Sequence, residues 1–164
     1  MDDTATMKTL AAAAHGEAWQ LLDKPERTPA ENEAMIGAAH KSLHLWERVG
    51  TFVEAQRGNW LVARAYLAAG LAEPALEFAR RTMEITSKHR DELKDFDLAF
   101  AKEIAARAWA MAGNKTRAAA HHADARKLGE AIADAEDRKE FFRQFDAGPW
   151  FDLEAWFRLE DGPG

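Results

Sequence analysis

Residues 95–114 read DFDLAFAKEIAARAWAMAGN. Between Leu98 and Ala112 only Lys102, Glu103 and Arg107 are charged, so a helix here is apolar almost all the way round. Such a helix cannot lie on a surface and must be wrapped by its neighbours. Asp95 or Asp97 is placed to cap its start. Gly113 and Asn114, the residues that best tolerate a left-handed turn, are placed to stop it. The remainder of the chain is expected to pack around this element.

Working outward, every other segment also reads as helix. Before it, residues 4–22 carry Met7, Leu10, Ala11, Ala14, Ala18, Leu21 and Leu22 on one helical stripe, ended by Asp23-Lys24-Pro25. Thr28-Pro29-Ala30-Glu31 restarts the chain with a threonine cap, a first-turn proline and a glutamate three residues after the cap. That second helix extends to Arg48 or Val49, with Met35, Ala39, Leu43, Trp46 and Val49 inward, and Gly50 closes it. A third covers residues 51–69 and stops at Gly70, and a fourth starts at Glu73-Pro74. The polar segment SKHRDELK, residues 87–94, is an ordered turn or a helix extension. After the buried helix, Asn114 caps an alanine-rich sixth (115–129) and a seventh (131–145) aligns Phe141, Phe142 and Phe145. Short connections make the neighbours antiparallel. The expected fold is one all-α domain, residues 1–147, of about seven helices in antiparallel hairpins, followed by an aromatic tail, residues 148–164.

Composition agrees. The chain has 164 residues, 47% hydrophobic and 30% charged, enough for one domain with a core. It has no cysteine, which excludes disulfides, thiolate metal sites and a cysteine nucleophile. A net charge of -6 argues against non-specific nucleic-acid binding. No stretch is apolar enough to span a membrane, and the opening MDDTATMKTL has no basic region followed by an apolar run, so no signal peptide is expected.

Two segments repeat. Val62-Ala63-Arg64-Ala65-Tyr66, then Gly70 and Ala75, matches Ala105-Ala106-Arg107-Ala108-Trp109, then Gly113 and Ala118, at a constant offset of 43. A repeated helix-turn-helix implies stacked hairpins. The pattern resembles a tetratricopeptide repeat, with an aromatic near the end of one helix, then glycine, then alanine in the next. It is longer than the family's usual repeat of about 34 residues. Asn59 and Lys102 stand where the family often has tryptophan, Ala79 and His122 stand at its second aromatic position, and the closing proline is missing. HKSLHLWERVGT, GLAEPALEFARR and residues 95–114 are also similar to a group of small, functionally uncharacterised bacterial proteins with this repeat-like fold. The resemblance implies a right-handed helical array, a bacterial cytoplasmic setting, and a concave groove that binds extended peptides. Groove-facing positions carried over from the family are Arg57, Trp60 and Arg64 on the third helix and Phe100, Glu103 and Arg107 on the fifth.

Arg57, Trp60 and Arg64 share one helical face, at i, i+3 and i+7. Three arginines in one concavity would form a local positive site suited to an acidic side chain or a chain-terminal carboxylate. The plainer alternative has Glu103 and Arg107, at i and i+4, pairing with each other. His40 and His44, also at i and i+4, with Glu47 one turn on, are weak metal candidates. They lack the glutamate of a metalloprotease motif, and a third ligand would have to come from His15, Glu103, His121 or His122. There is no nucleotide-binding glycine loop and no nucleophile elbow, and nothing compels a catalytic residue or a cofactor.

The tail WFDLEAWFRLEDGPG places Trp150, Leu153, Trp156 and Phe157 on one face, which must dock, on this molecule or on a second copy. A sharper form has Asp152, Glu154 or the C-terminal carboxylate reaching the arginine groove. The leading expectation is a non-catalytic peptide- or protein-binding scaffold. The alternatives are a metal-dependent or small-molecule enzyme around His40, His44, Glu47 and Glu103, and a structural homodimer formed through the tail.

Overall fold

The computed structural model of the chain describes residues 3–160. They form eight helices and no strand: α1 (Asp3–Leu22), α2 (Pro29–Val49), α3 (Phe52–Ala68), α4 (Ala72–Lys88), α5 (Asp95–Met111), α6 (Lys115–Glu130), α7 (Ala135–Ala147) and α8 (Leu153–Glu160). The fold is all-α, as the periodicity implies. The extra helix comes from the tail, whose aromatic stripe winds into α8.

The pairs α1–α2, α3–α4 and α5–α6 are antiparallel hairpins, and each packs on the next. α3 touches both α1 and α5, and α7 touches α5, so the odd-numbered helices line one side of the stack; α2 packs on α3, α4 on α5 and α6 on α7. Contacts therefore run within each hairpin and to its immediate neighbours in the stack.

The internal repeat is physical. Gly70 and Gly113 adopt φ of +79° and +88°, the left-handed region in which glycine has no Cβ to strain. In the first turn Gly70 N–H donates to Leu67 O (3.0 Å) and Leu71 N–H to Tyr66 O (2.9 Å). In the second, Gly113 N–H donates to Ala110 O (3.1 Å) and Asn114 N–H to Trp109 O (3.0 Å). Each bond is its counterpart shifted by 43 positions. Ala63 and Ala106 are both fully buried, as are Ala75 and Ala118, so the small residues sit where helices cross.

α5 is the most enclosed helix. Ala99, Ala106 and Ala110 pack into one apolar cluster with α6, α7 and the tail, while Ile104 and Ala108 join another with α3 and α4. Of the two aspartates placed to cap its start, Asp97 does so. Lys94 occupies the cap position, and Asp97, three residues on, accepts from the Lys94 N–H (3.2 Å). Asp95 caps nothing on α5; its carboxylate accepts from Ala133 N–H (3.0 Å) and ties down the loop before α7. That helix starts at Ala135 rather than 131, because Asp134 caps it by accepting from Asp137 N–H (2.9 Å). Of the segment 87–94, two residues extend α4 and the rest turn.

The tail docks on its own chain. Trp150 and Leu153 are buried among Ala118, Ala125, Phe141 and Phe145, so the segment 150–157 is continuous with the core. Trp150 Nε1–H donates to Phe145 O (2.9 Å), and Lys115 Nζ donates to the Phe151 carbonyl. His122 is enclosed by the rings of Trp150 (4.6 Å), Phe145 (4.7 Å) and Phe157 (5.1 Å). No described helix is long and apolar enough to cross a membrane.

Candidate functional site

The six residues expected to share one groove lie along α3 and α5 but do not face one opening. Arg57 is held by Asp97 through two bonds, Nε to Oδ1 (2.9 Å) and NH2 to Oδ2 (3.0 Å), and its guanidinium covers the Phe96 ring at 5.2 Å. The carboxylate of Asp97 raises the Arg57 pKa above its ordinary value, with burial opposing. Trp60 stacks on Trp19 (5.9 Å) and meets Phe100 edge-on (5.6 Å), and its indole N–H donates to Phe100 O (3.2 Å). Arg57, Trp60 and Phe100 line, with Trp19, Gln56 and Gln144, a cleft of about 180 Å³ between α1, α3, α5 and α7.

Glu103 and Arg107 are not exposed groove residues. They pair with each other at 1% and 0% exposure, as their i, i+4 spacing allows. Arg107 further donates to Gln144 O (2.7 Å) and Pro149 O (3.0 Å), and Trp150 lies against it at 4.2 Å. A buried guanidinium needs this many partners. The tail thus meets an arginine, but through a backbone carbonyl and a ring; the Asp152 and Glu154 side chains face solvent, and the C-terminal carboxylate lies outside the described residues.

Arg64 is the exception. It is largely buried, makes no hydrogen bond or ion pair among the described residues, and its Nε is fully covered without an acceptor. Burial lowers its pKa from the ordinary guanidinium value, opposed by the charge of Glu103 and assisted by Arg107 and Arg27. It lines a second cleft, about 410 Å³, with Leu22, Arg27, Leu67, Met111 and Phe151. Arg27, a residue with no helical stripe to single it out, belongs to this site. Its guanidinium gathers Leu21, Leu22 and Lys24 carbonyls (3.3, 3.1 and 2.9 Å) and Asn32 Oδ1 (3.1 Å), closing the end of α1.

The histidine pair does not converge on a metal site. His40 Nε2 lies 2.8 Å from Tyr66 Oη and its ring packs on Phe78 (5.1 Å), while burial, helped by Arg81, lowers its pKa. His44 and Glu47 are exposed. Of the proposed third ligands, His15 lines the smaller cleft, Glu103 is committed to Arg107, His121 lies beside Trp109 and Arg117, and His122 is among the tail aromatics. Among the described residues no group of three or more histidine, aspartate or glutamate side chains is arranged to hold a metal ion.

Compared with known proteins, the chain matches no family model, no curated protein and no solved structure.

Proposed function

We propose that the chain is a non-catalytic binding protein that receives an acidic protein or peptide on the side lined by its odd-numbered helices, with Arg64 as the primary charged contact. The observation that carries this reading is Arg64, which lines an open cleft and has no hydrogen-bond or ion-pair partner among the described residues. A largely buried guanidinium without an acceptor gains strongly from a ligand carboxylate, which its fork can meet with two donors. Arg57 and Trp60 extend the surface along α3, with Arg57 restrained by Asp97. The stacked hairpins and their repeated glycine turns support a tetratricopeptide-like reading, and with it the cytoplasmic bacterial setting that the resemblance implies.

The test is fluorescence anisotropy of a labelled, glutamate-rich peptide with a free C-terminus, titrated with the full chain. Arg64→Gln is expected to weaken binding by roughly ten- to a hundredfold, with the thermal midpoint retained, because Arg64 makes no bond to lose. Equal affinity of wild type and variant would overturn the assignment.

A further inference from the structure

The internal repeat supplies a control for Arg64. The shift of 43 that maps Gly70 onto Gly113 maps Arg64 onto Arg107 and Trp60 onto Glu103. The two arginines therefore hold equivalent places on equivalent helices. Arg107 is surrounded by a carboxylate one turn earlier, two carbonyl oxygens and an indole ring. At Arg64 the residue one turn earlier is Trp60, which brings no carboxylate, and no carbonyl among the described residues accepts from the guanidinium.

Most groups around Arg64 have partners elsewhere. Glu103 is bonded to Arg107 through Oε1, with Oε2 buried and unpartnered, Lys24 is paired with Glu31, and Arg27 donates to the Leu22 and Lys24 carbonyls and to Asn32. Two guanidinium groups of this cleft, Arg27 and Arg64, make no ion pair among the described residues, and Arg64 is the one without any acceptor, so it is the contact for a ligand carboxylate. The rest of the cleft is largely apolar: Leu22, Leu67, Met111, Pro149 and Phe151. Its volume, about 410 Å³, lies in the range of small-ligand sites.

We infer that this cleft is a binding site for a monocarboxylate with an apolar body, whose carboxylate takes at Arg64 the place that Glu103 takes at Arg107. The apolar body packs between the end of α3 and the Pro149–Phe151 turn. The inference rests on the proposed binding function and names its subsite. Because Pro149 and Phe151 form one wall, the ligand also joins the tail to α3, so occupancy protects the tail. Two sources share this chemistry, a free small acid and the C-terminus of a chain ending in an apolar residue.

Calorimetry on the full chain separates them. The probes are N-acetylleucine and its amide, a hexapeptide ending in free leucine and its C-terminal amide, and a glutamate-rich peptide with an amidated end. Binding of N-acetylleucine but not its amide, lost roughly ten- to a hundredfold in Arg64→Gln, supports the site with a free acid as source. Binding by the free-ended hexapeptide alone, with the same loss, supports it with a chain terminus as source. Amides that bind as tightly as acids, or an unchanged Arg64→Gln variant, overturn the site. If only the amidated glutamate-rich peptide binds, and Arg57→Gln weakens it, this site is overturned while binding of acidic partners on the same side of the stack stands. If no probe binds, both are overturned. In the supported cases, chymotryptic cleavage within residues 150–157 slows as ligand is added, by a factor that follows occupancy.

Discussion

Arg107→Met removes the guanidinium on which the tail is seated and leaves Glu103, 1% exposed, as a buried carboxylate without its cation. The Gln144 and Pro149 carbonyls lose their donor at the same time. Breaking a buried pair from one side costs about 3–5 kcal/mol, because the remaining charge is uncompensated. For a chain of this size each kcal/mol moves the thermal midpoint by roughly 2–4 °C, so a fall of about 6–20 °C is expected. Pairing the change with Glu103→Leu removes both charges and keeps apolar volume, leaving mainly the two carbonyls unsatisfied. The double variant is expected to regain at least about 1–2 kcal/mol over Arg107→Met, since replacing a whole buried pair by apolar residues is often close to neutral. Urea unfolding followed by tryptophan fluorescence reads both. An Arg107→Met variant within about 1 kcal/mol of wild type would refute the reasoning, since that is the behaviour of a solvated pair.

Three further outcomes follow from the packing and the charges. A Cβ at Gly129 would overlap the Phe141 ring and stand 3.1 Å from Phe142 Cζ, so Gly129→Ala is expected to cost about 1–3 kcal/mol by forcing α6 from α7, read by urea unfolding. Gly70 and Gly113 have room for a methyl group but positive φ, so Gly70→Ala and Gly113→Ala are each expected to cost about 1–2 kcal/mol from backbone strain alone; urea unfolding reads both, and unequal costs would break the equivalence of the two turns. His122 is held to a pKa of about 4, below its ordinary 6.5, first by burial and then by Arg126 and Arg107. Its folded-state value is depressed, so its contribution is fully present above pH 6.5 and is lost as pH falls toward 4. With its partial exposure discounted, acidification is expected to weaken tail docking by about 1–2 kcal/mol. Near-ultraviolet circular dichroism checks this, and His122→Phe should flatten the dependence.

Much of the fold is legible because its signals are local. The enclosure of α5 follows from three charges in fifteen residues, and the turns at Gly70 and Gly113 follow from glycine placed after an apolar run. Boundaries differ where side chains compete for one role. Asp95 has the chemistry of a cap but is recruited by Ala133, and Asp134 sets the start of α7. The site is less legible because a shared helical face is not a shared opening. Arg57, Arg64 and Arg107 occupy related positions, yet one is paired with Asp97, one lacks an acceptor and one is sealed by a tail some 40 residues downstream. Only the Glu103–Arg107 pairing is written in local spacing. Arg27 carries no signal, since its partners are the carbonyls of a helix end that exists only after folding.

The contrast between Arg64 and Arg107 is tested most directly by nuclear magnetic resonance of the arginine Nε–H groups in the full chain, recorded while N-acetylleucine is added. The Arg64 signal is expected to shift with saturable dependence on the acid, and the Arg107 signal, already held by Glu103 and two carbonyls, to stay in place. An Arg64 signal that does not move, or an Arg107 signal that moves equally, would contradict the assignment of Arg64 as the open charged contact.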